Sequence, residues 1–295
     1  MRVRRAPAFV AATVLALALG ACGGGGNDTT SDTTVNKDVT FDAGTTMARL
    51  NKAGAVTVGT KFDQPLFGLK GLDGKPAGFD VEIAKIIAGE LGIAPEKIRW
   101  LETPSKVREE KVEQGAVDYV VATYTINDKR RQRVTFAGPY YEAGQDLMVK
   151  KGNPKGIDGP QTLRAKRVRV CSVTGSTPGE TIKKYVAPNQ LVLFDVYSKC
   201  ADALRTGQVN AVTTDNVILL GLVDANKGAF ELVGKPFTKE PYGIGLKKGD
   251  VRFCEFINGV LRKAADDGRY RKAWESTAGR VAEETPELPE LGPCS

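Results

Sequence analysis

One short segment occurs twice in this chain, and it limits the fold more than any other feature. Gln114-Gly115-Ala116-Val117-Asp118-Tyr119-Val120 and Thr206-Gly207-Gln208-Val209-Asn210-Ala211-Val212 share a core of glycine, a spacer, valine, Asp or Asn, a second spacer and valine. Each copy follows a helical pattern, 105–114 in the first case and 201–206 in the second, which the glycine stops. Each then runs straight into a β-rich stretch, 117–122 and 209–213, and lies downstream of an opening strand, 55–59 and 166–170. Between the first strand and the first copy, 79–92 reads as an amphipathic helix. Asp80 is placed to cap it, Ile83, Ile86, Ile87 and Leu91 share a face, and Gly92 ends it. Strands alternating with helices predict parallel sheets covered by helices, and a duplicated module predicts two of them. The fold class is therefore α/β with two lobes, and a ligand belongs in the cleft beyond the carboxyl ends of the strands.

A chain of 295 residues holds two such lobes, each large enough for its own core. Apolar residues make up 41% and charged residues 26%, the balance of a globular protein and not of a polytopic membrane protein. Histidine is absent, which excludes Ser-His-Asp and Cys-His catalysis and His-ligated zinc. No GxxxxGK[ST] phosphate loop occurs, and neither a metal nor a cofactor is expected. The formal charge is +7, and without Arg2, Arg4 and Arg5 the 42 basic residues fall to 39 against 35 acids. That small excess is spread among acids, as in Lys106-Val107-Arg108-Glu109-Glu110-Lys111, and does not point to nucleic acid.

The N-terminal segment reads as an export signal. A basic start at 1–5 leads into an apolar stretch at 6–19, too short for a bilayer span, and then into Leu19-Gly20-Ala21-Cys22. This pattern is similar to a bacterial lipobox, in which the Cys22 thiol is acylated. The alternative is an ordinary secretory signal with a chance cysteine. The expected organisation is a signal peptide at 1–21, a lipid anchor and unstructured tether at 22–39, and a protein held on the outer face of the cytoplasmic membrane. The tether follows from Gly23-Gly24-Gly25-Gly26-Asn27-Asp28-Thr29-Thr30, which offers no apolar side chain to a core. With Cys22 used, Cys171, Cys200, Cys254 and Cys294 remain, an even number in an oxidising compartment. Of three connectivities, Cys171 with Cys200 and Cys254 with Cys294 closes the shorter loops.

The residues following each strand carry the chemistry. Thr123-Tyr124-Thr125-Ile126-Asn127-Asp128-Lys129-Arg130 places hydroxyls, backbone N–H groups and an arginine fork after a buried strand, which suits a carboxylate. Val173-Thr174-Gly175-Ser176-Thr177-Pro178 reads as a helix start with N–H groups aimed at an anion. Asp215 supplies the opposite charge, as an ammonium requires, although a residue in that position equally suits an N-cap. Arg130, flanked by Lys129 and Arg131, is equally compatible with a solvated face. An anion clamp facing a carboxylate is what an α-amino acid zwitterion needs.

From about Val56 to Arg280 the chain resembles the amino-acid solute-binding proteins of ABC importers, and most closely the glutamate-binding lipoproteins of Gram-positive actinobacteria. The resemblance is carried by Val58-Gly59-Thr60-Lys61-Phe62-Asp63-Gln64-Pro65, Gly78-Phe79-Asp80-Val81-Glu82-Ile83-Ala84, Gly115-Ala116-Val117-Asp118 and Thr125-Ile126-Asn127-Asp128-Lys129-Arg130. It continues through Phe136-Ala137-Gly138-Pro139-Tyr140-Tyr141, Cys171-Ser172-Val173-Thr174-Gly175-Ser176-Thr177 and Ala211-Val212-Thr213-Thr214-Asp215. It implies a periplasmic-binding-protein-like (type II) clamp with lobe one at 40–146, lobe two at 147–243, a return to lobe one at 244–282, and a tail at 283–295. Hinge strands are implied near 146–150 and 242–247. Arg130 would bind the α-carboxylate, with Thr123, Thr125 and the Gly175-Ser176-Thr177 turn completing the cage, and Asp215 would hold the ammonium.

Two departures from the family pattern bear on specificity. Thr103-Pro104-Ser105-Lys106 stands where an aromatic often sandwiches the ligand, leaving Phe62 and Phe67 as substitutes, of which Phe67 equally suits the core. Asn127 replaces a threonine. The side-chain pocket is accordingly expected to be polar, with Lys61, Gln64 and Arg108 as candidates for gripping a second carboxylate, which favours glutamate over glutamine, with aspartate and asparagine as further alternatives. Arg108 lies on a charged helix and equally suits its solvated face. The implied partners are a membrane permease with its ATPase, the protein itself being a monomer and not an enzyme. Two alternatives share the fold: a sensor partnering a membrane kinase, and a dehydratase, for which histidine is missing and Asp215 is already committed.

Overall fold

The structure is a computed structural model and describes residues 34–282 and 284–294. The signal sequence, Cys22 and most of the tether lie outside the described residues. The first part of the chain forms α1 (Thr46–Ala53), β1 (Val56–Thr60), a small hairpin sheet of β2 (Asp63–Gln64), β3 (Gly68–Lys70) and β4 (Pro76–Ala77), and then α2 (Phe79–Glu90). It continues with β5 (Ile98–Glu102), α3 (Arg108–Glu113), β6 (Tyr119–Val120), α4 (Asp128–Arg131) and the long β7 (Val134–Ala143). After Gly144 come β8 (Gln145–Lys150), β9 (Val170–Val173), α5 (Thr177–Thr181), β10 (Leu191–Phe194), α6 (Tyr197–Thr206), β11 (Ala211–Asp215), α7 (Asn216–Ala225) and β12 (Phe230–Leu232). The chain then returns as β13 (Glu240–Lys247), α8 (Val251–Asp266) and α9 (Arg269–Glu275).

Two five-stranded sheets result, in the orders β5-β1-β6-β13-β7 and β10-β9-β11-β8-β12. Within each, the duplicated module supplies a parallel core: β5-β1-β6 in one lobe and β10-β9-β11 in the other. The strands next to the crossings, β7 and β13 in the first sheet and β8 and β12 in the second, add antiparallel pairs. The crossings fall at Gly144 and between β12 and β13, slightly earlier than expected. The expected hinge segments 146–150 and 242–247 each lie inside one sheet. Gln145 and Asp146 belong to the second sheet, and Tyr242 and Gly243 to the first. The break was hidden because only Gly144 separates β7 from β8, and a single glycine does not by itself mark a passage from one sheet to another.

The two crossing segments are tied to each other. The Gln145 N–H donates to Thr238 Oγ1 at 3.0 Å, and the Phe237 N–H donates to the Gln145 carbonyl at 2.9 Å. The Asp146 carboxylate accepts from the N–H groups of Gly234 and Lys235.

Local chemistry explains where the expected elements moved. The opening strand of the second lobe is β9, not 166–170, because Arg167 adopts φ 50° in a turn and only Val168 is drawn inward before Val170. Helix α2 starts at Gly78 without a side-chain cap, so Asp80 is not its cap. It is buried on nearly every face, as its apolar run demands, and packs against α8 and α9. Phe67 is fully buried among Phe79, Tyr141, Tyr242 and Trp274, which makes it core and not a ligand shelf. Phe62 lies under the Lys70 ammonium at 5.0 Å.

Cys171 is paired with Cys200 and Cys254 with Cys294, the shorter-loop pairing, with Cα–Cα distances of 5.5 and 5.8 Å. The second disulfide holds the tail against the first lobe, where the Gly292 N–H donates to the Gly138 carbonyl at 2.8 Å and Leu288 and Leu291 pack on the core. Among the described residues no helix is long and apolar enough to cross a membrane.

Candidate functional site

The segments after β5, β6 and β9 and the carboxyl end of β11 converge on one small cavity of about 10 Å³. The first lobe contributes Ser105, Arg108, Thr123 and Thr125, and the second Ser176, Thr177, Tyr197, Thr214 and Asp215. The lobes touch directly around it. The Tyr197 N–H donates to Asp63 Oδ2 at 2.7 Å, and Thr125 Oγ1 lies 3.2 Å from Thr177 Oγ1.

The turn after β6 is held from beneath. Thr123 adopts φ 45°, an uncommon conformation for a β-branched residue. Its N–H donates to Asp80 Oδ2 at 2.8 Å, and its hydroxyl lies 3.1 Å from Gln64 Oε1. Asp80 also accepts from the Tyr140 hydroxyl at 2.5 Å. Burial pushes the Asp80 carboxyl up to about 7, with the Tyr140 and Thr123 bonds opposing the rise. Gln64 thus supports Thr123 from below the cavity and keeps an unpartnered buried Nε2 among the described residues.

Arg130 is buried and committed on several sides. Nη1 donates to the Thr125 carbonyl at 2.6 Å, Nη2 to the Gly175 carbonyl at 3.2 Å, and Nε pairs with Glu109 at 3.2 Å. Asn127 caps the short helix α4 that carries it, accepting the Arg130 N–H at 3.0 Å, so the departure from threonine keeps an oxygen at the cap. Burial, and next the neighbouring Arg108 cation, lower the Arg130 guanidinium to about 10. Arg130 therefore bridges the lobes at the edge of the cavity, whereas Arg108 lines it.

Arg108 is 2% exposed and is not part of a solvated helix face. Its Nη1 donates to the Ala122 carbonyl at 2.9 Å, and its guanidinium stacks 3.9 Å from the Tyr124 ring centroid. Among the described residues it forms no ion pair, and Nε has no partner. Lys61 lies one layer deeper, donating to Ser105 Oγ at 2.9 Å, and burial, reinforced by Arg108, lowers its pKa to about 8.

On the second lobe, Asp215 ends β11 and precedes α7 but makes no capping bond. Instead Oδ2 accepts from the Tyr242 hydroxyl at 2.6 Å, and Oδ1 is buried without a partner among the described residues. Burial pushes Asp215 up to about 7, and the nearby Glu240 charge adds to the rise. Thr214 Oγ1, beside it, is likewise unpartnered. Ser176 caps α5 and lines the cavity, and Gly175 passes so close to Lys106 that an added Cβ would lie 2.8 Å from the Lys106 Cα.

Sequence reasoning missed Ser105, Tyr197, Asp80, Tyr140, Glu109, Glu240 and Tyr242. Their partners come from distant segments, and only the adjacency of Ser105 to the unusual Thr103-Pro104 step hinted at one of them.

The description "Bacterial extracellular solute-binding proteins, family 3" fits residues 56–276 of this chain. The chain is 38% identical over 258 residues to the ABC transporter glutamine-binding protein GlnH of Bacillus subtilis, covering 87% of this chain and 90% of that protein. It is 39% identical over 248 residues to the glutamate-binding protein GluB of Corynebacterium efficiens, covering 79% and 83%. Among solved structures, an ancestral arginine-binding protein bound to glutamine superposes with a TM-score of 0.70 at 36% identity, covering 76% of this chain and 97% of that one. Fold, cleft chemistry and kinship agree, and the chain belongs to the bacterial extracellular solute-binding proteins of family 3.

Proposed function

We propose that the protein is anchored to the membrane through lipidated Cys22, captures L-glutamate between its lobes, and delivers it to an ABC permease and its ATPase. One observation carries the reading: three unpartnered buried polar atoms, Arg108 Nε, Asp215 Oδ1 and Thr214 Oγ1, line the same cavity. Buried polar atoms are normally satisfied, and an amino acid with an ammonium at one end and a side-chain carboxylate at the other supplies partners of both signs at once. Asp215 and Thr214 would take the ammonium. The α-carboxylate would meet Arg130 with the Thr123 to Thr125 turn and the Gly175-Ser176-Thr177 turn. Arg108 would grip the side-chain carboxylate, with Lys61 and Gln64 behind it.

Glutamate is favoured because Arg108 and Lys61 are buried cations that form no ion pair among the described residues, a costly arrangement that a second carboxylate relieves. Glutamine is the competing ligand, being named for two relatives and for the ligand of a similar solved structure. Closure around either ligand follows from its higher affinity for the closed lobes, and that closed form is what a permease would recognise.

Titration calorimetry with L-glutamate, L-glutamine, L-aspartate, L-asparagine and L-arginine tests the reading. Loss of glutamate binding in Arg130→Ala, with a selective weakening in Arg108→Ala, is the expected result. Equal or better binding of glutamine would remove Arg108 and Lys61 from specificity, and no binding of any of the five would defeat the reading. Labelling with radioactive palmitate, lost in Cys22→Ser, tests the anchor.

A further inference from the structure

We infer that Glu240 is a positioning residue for ligand capture, fixing the direction of the hydroxyl bridge between Thr125 and Thr177 across the cleft. The inference rests on the proposed reading of the cavity as the amino-acid site. Glu240 is 2% exposed and is the first residue of β13, where the chain re-enters the first lobe. Both of its oxygens are used. Oε1 accepts from Thr238 Oγ1 at 3.0 Å, within the crossing segment, and Oε2 accepts from Thr177 Oγ1 at 2.7 Å, on the second lobe.

The proton count sets a direction. An ionised carboxylate only accepts, and a threonine hydroxyl has one proton to give. Thr177 gives its proton to Glu240, so in the 3.2 Å contact between Thr177 and Thr125 the donor is Thr125. The chain runs Thr125 to Thr177 to Glu240, and it leaves the Thr125 oxygen offering lone pairs to the cavity. A ligand carboxylate at this turn must then be met by backbone N–H groups and Arg130, because the Thr125 proton is committed to Thr177. Without an acceptor at Glu240 the chain can reverse, and the discrimination between the two ends of the zwitterion is lost.

Glu240 also acts at a distance on Asp215. The groups facing Asp215 are Tyr242 and Glu240 from β13, Tyr141 from β7, Tyr197 from α6, and the cations Arg108 and Arg130 from α3 and α4. Of these, Glu240 is the nearby negative charge, and it opposes ionisation of Asp215. Glu240 itself faces Thr177, Thr238, Arg130 and Asp215.

The test compares L-glutamate and L-glutamine binding by full-length wild type, Glu240→Gln, Thr177→Val and the double variant between pH 5.5 and 8. Each single variant is expected to weaken the affinity of the tighter ligand about 10- to 100-fold, the range of one charged hydrogen bond, and the double variant no further than the weaker single. The acid-side loss of affinity is expected at lower pH in Glu240→Gln than in wild type, a shift that a purely structural role would not produce. Unchanged affinity in both singles, losses that simply add, or an unmoved pH midpoint overturns the assignment. If Glu240→Gln does not fold, unchanged affinity in Thr177→Val alone overturns it. Wild type that binds no amino acid defeats the cavity reading and this assignment with it, whereas wild-type binding left intact by the variants defeats this assignment alone.

Discussion

Two buried carboxylates, one in each lobe, are each met by a tyrosine: Asp80 by Tyr140 and Asp215 by Tyr242. Their pKa values are both raised to about 7 by burial, above the ordinary unfolded value near 4. The folded protein therefore holds more protons than the unfolded chain between about pH 4 and 7, and each group's contribution to stability falls as pH rises through that window. On the proposed reading of the cavity, ligand binding has the opposite sign, since an ammonium held at Asp215 needs that carboxylate ionised. Lowering the pH from 7.5 to 5.5 should weaken amino-acid affinity, approaching tenfold per unit below 7. Over the same range, the melting temperature of ligand-free wild type should gain on that of Asp215→Asn. Calorimetry and thermal melts at matched pH check both signs. The position of Asp215 at the end of a strand was legible in the sequence, whereas its bond to Tyr242 was not. Asp80 was misread as a cap because its true partners, Thr123 and Tyr140, lie 43 and 60 residues away.

A helix and a loop meet at one of the closest approaches between the lobes. In α7, Gly221 faces the backbone of the Pro65 loop from the other lobe, and a Cβ there would lie 2.4 Å from the Pro65 carbonyl oxygen. Gly221→Ala should leave the second lobe folded, since alanine favours a helix, but should oppose closure. Amino-acid affinity is expected to drop at least tenfold with little change in melting temperature, and small-angle scattering with ligand should show a larger radius of gyration than in wild type. The helices that glycine terminates, α2 before Gly92 and α6 at Gly207, were readable from sequence. The 166–170 segment was not, because Lys166-Arg167-Val168-Arg169-Val170 alternates as a strand does while Arg167 turns the chain through φ 50°. Local alternation cannot reveal that the sheet begins only at Val170.

On the scale of the whole molecule, the duplicated module gave away the two lobes, and what it could not show is which strands the returning chain completes. The Cys254–Cys294 bridge closes a separation of 40 residues and ties the tail to the first lobe, away from the cavity. Its removal by Cys254→Ser with Cys294→Ser should cost about 3 to 4 kcal/mol of stability while leaving ligand affinity within about twofold, measured by denaturant unfolding and calorimetry. Strand β13 lies between β6 and β7, and it reaches the first sheet only after the second lobe has been made. A chain that emerges from a ribosome or an export channel in order of sequence therefore starts one lobe and finishes the other first. The second lobe is contiguous from β8 to β12 and can close by itself, whereas β6 and β7 wait with open edges until Lys247 has passed. Any stall before that point leaves the earlier half exposed to pairing with strangers, so it is the arrival of Glu240–Lys247, and not the completion of either lobe's helices, that removes the hazard.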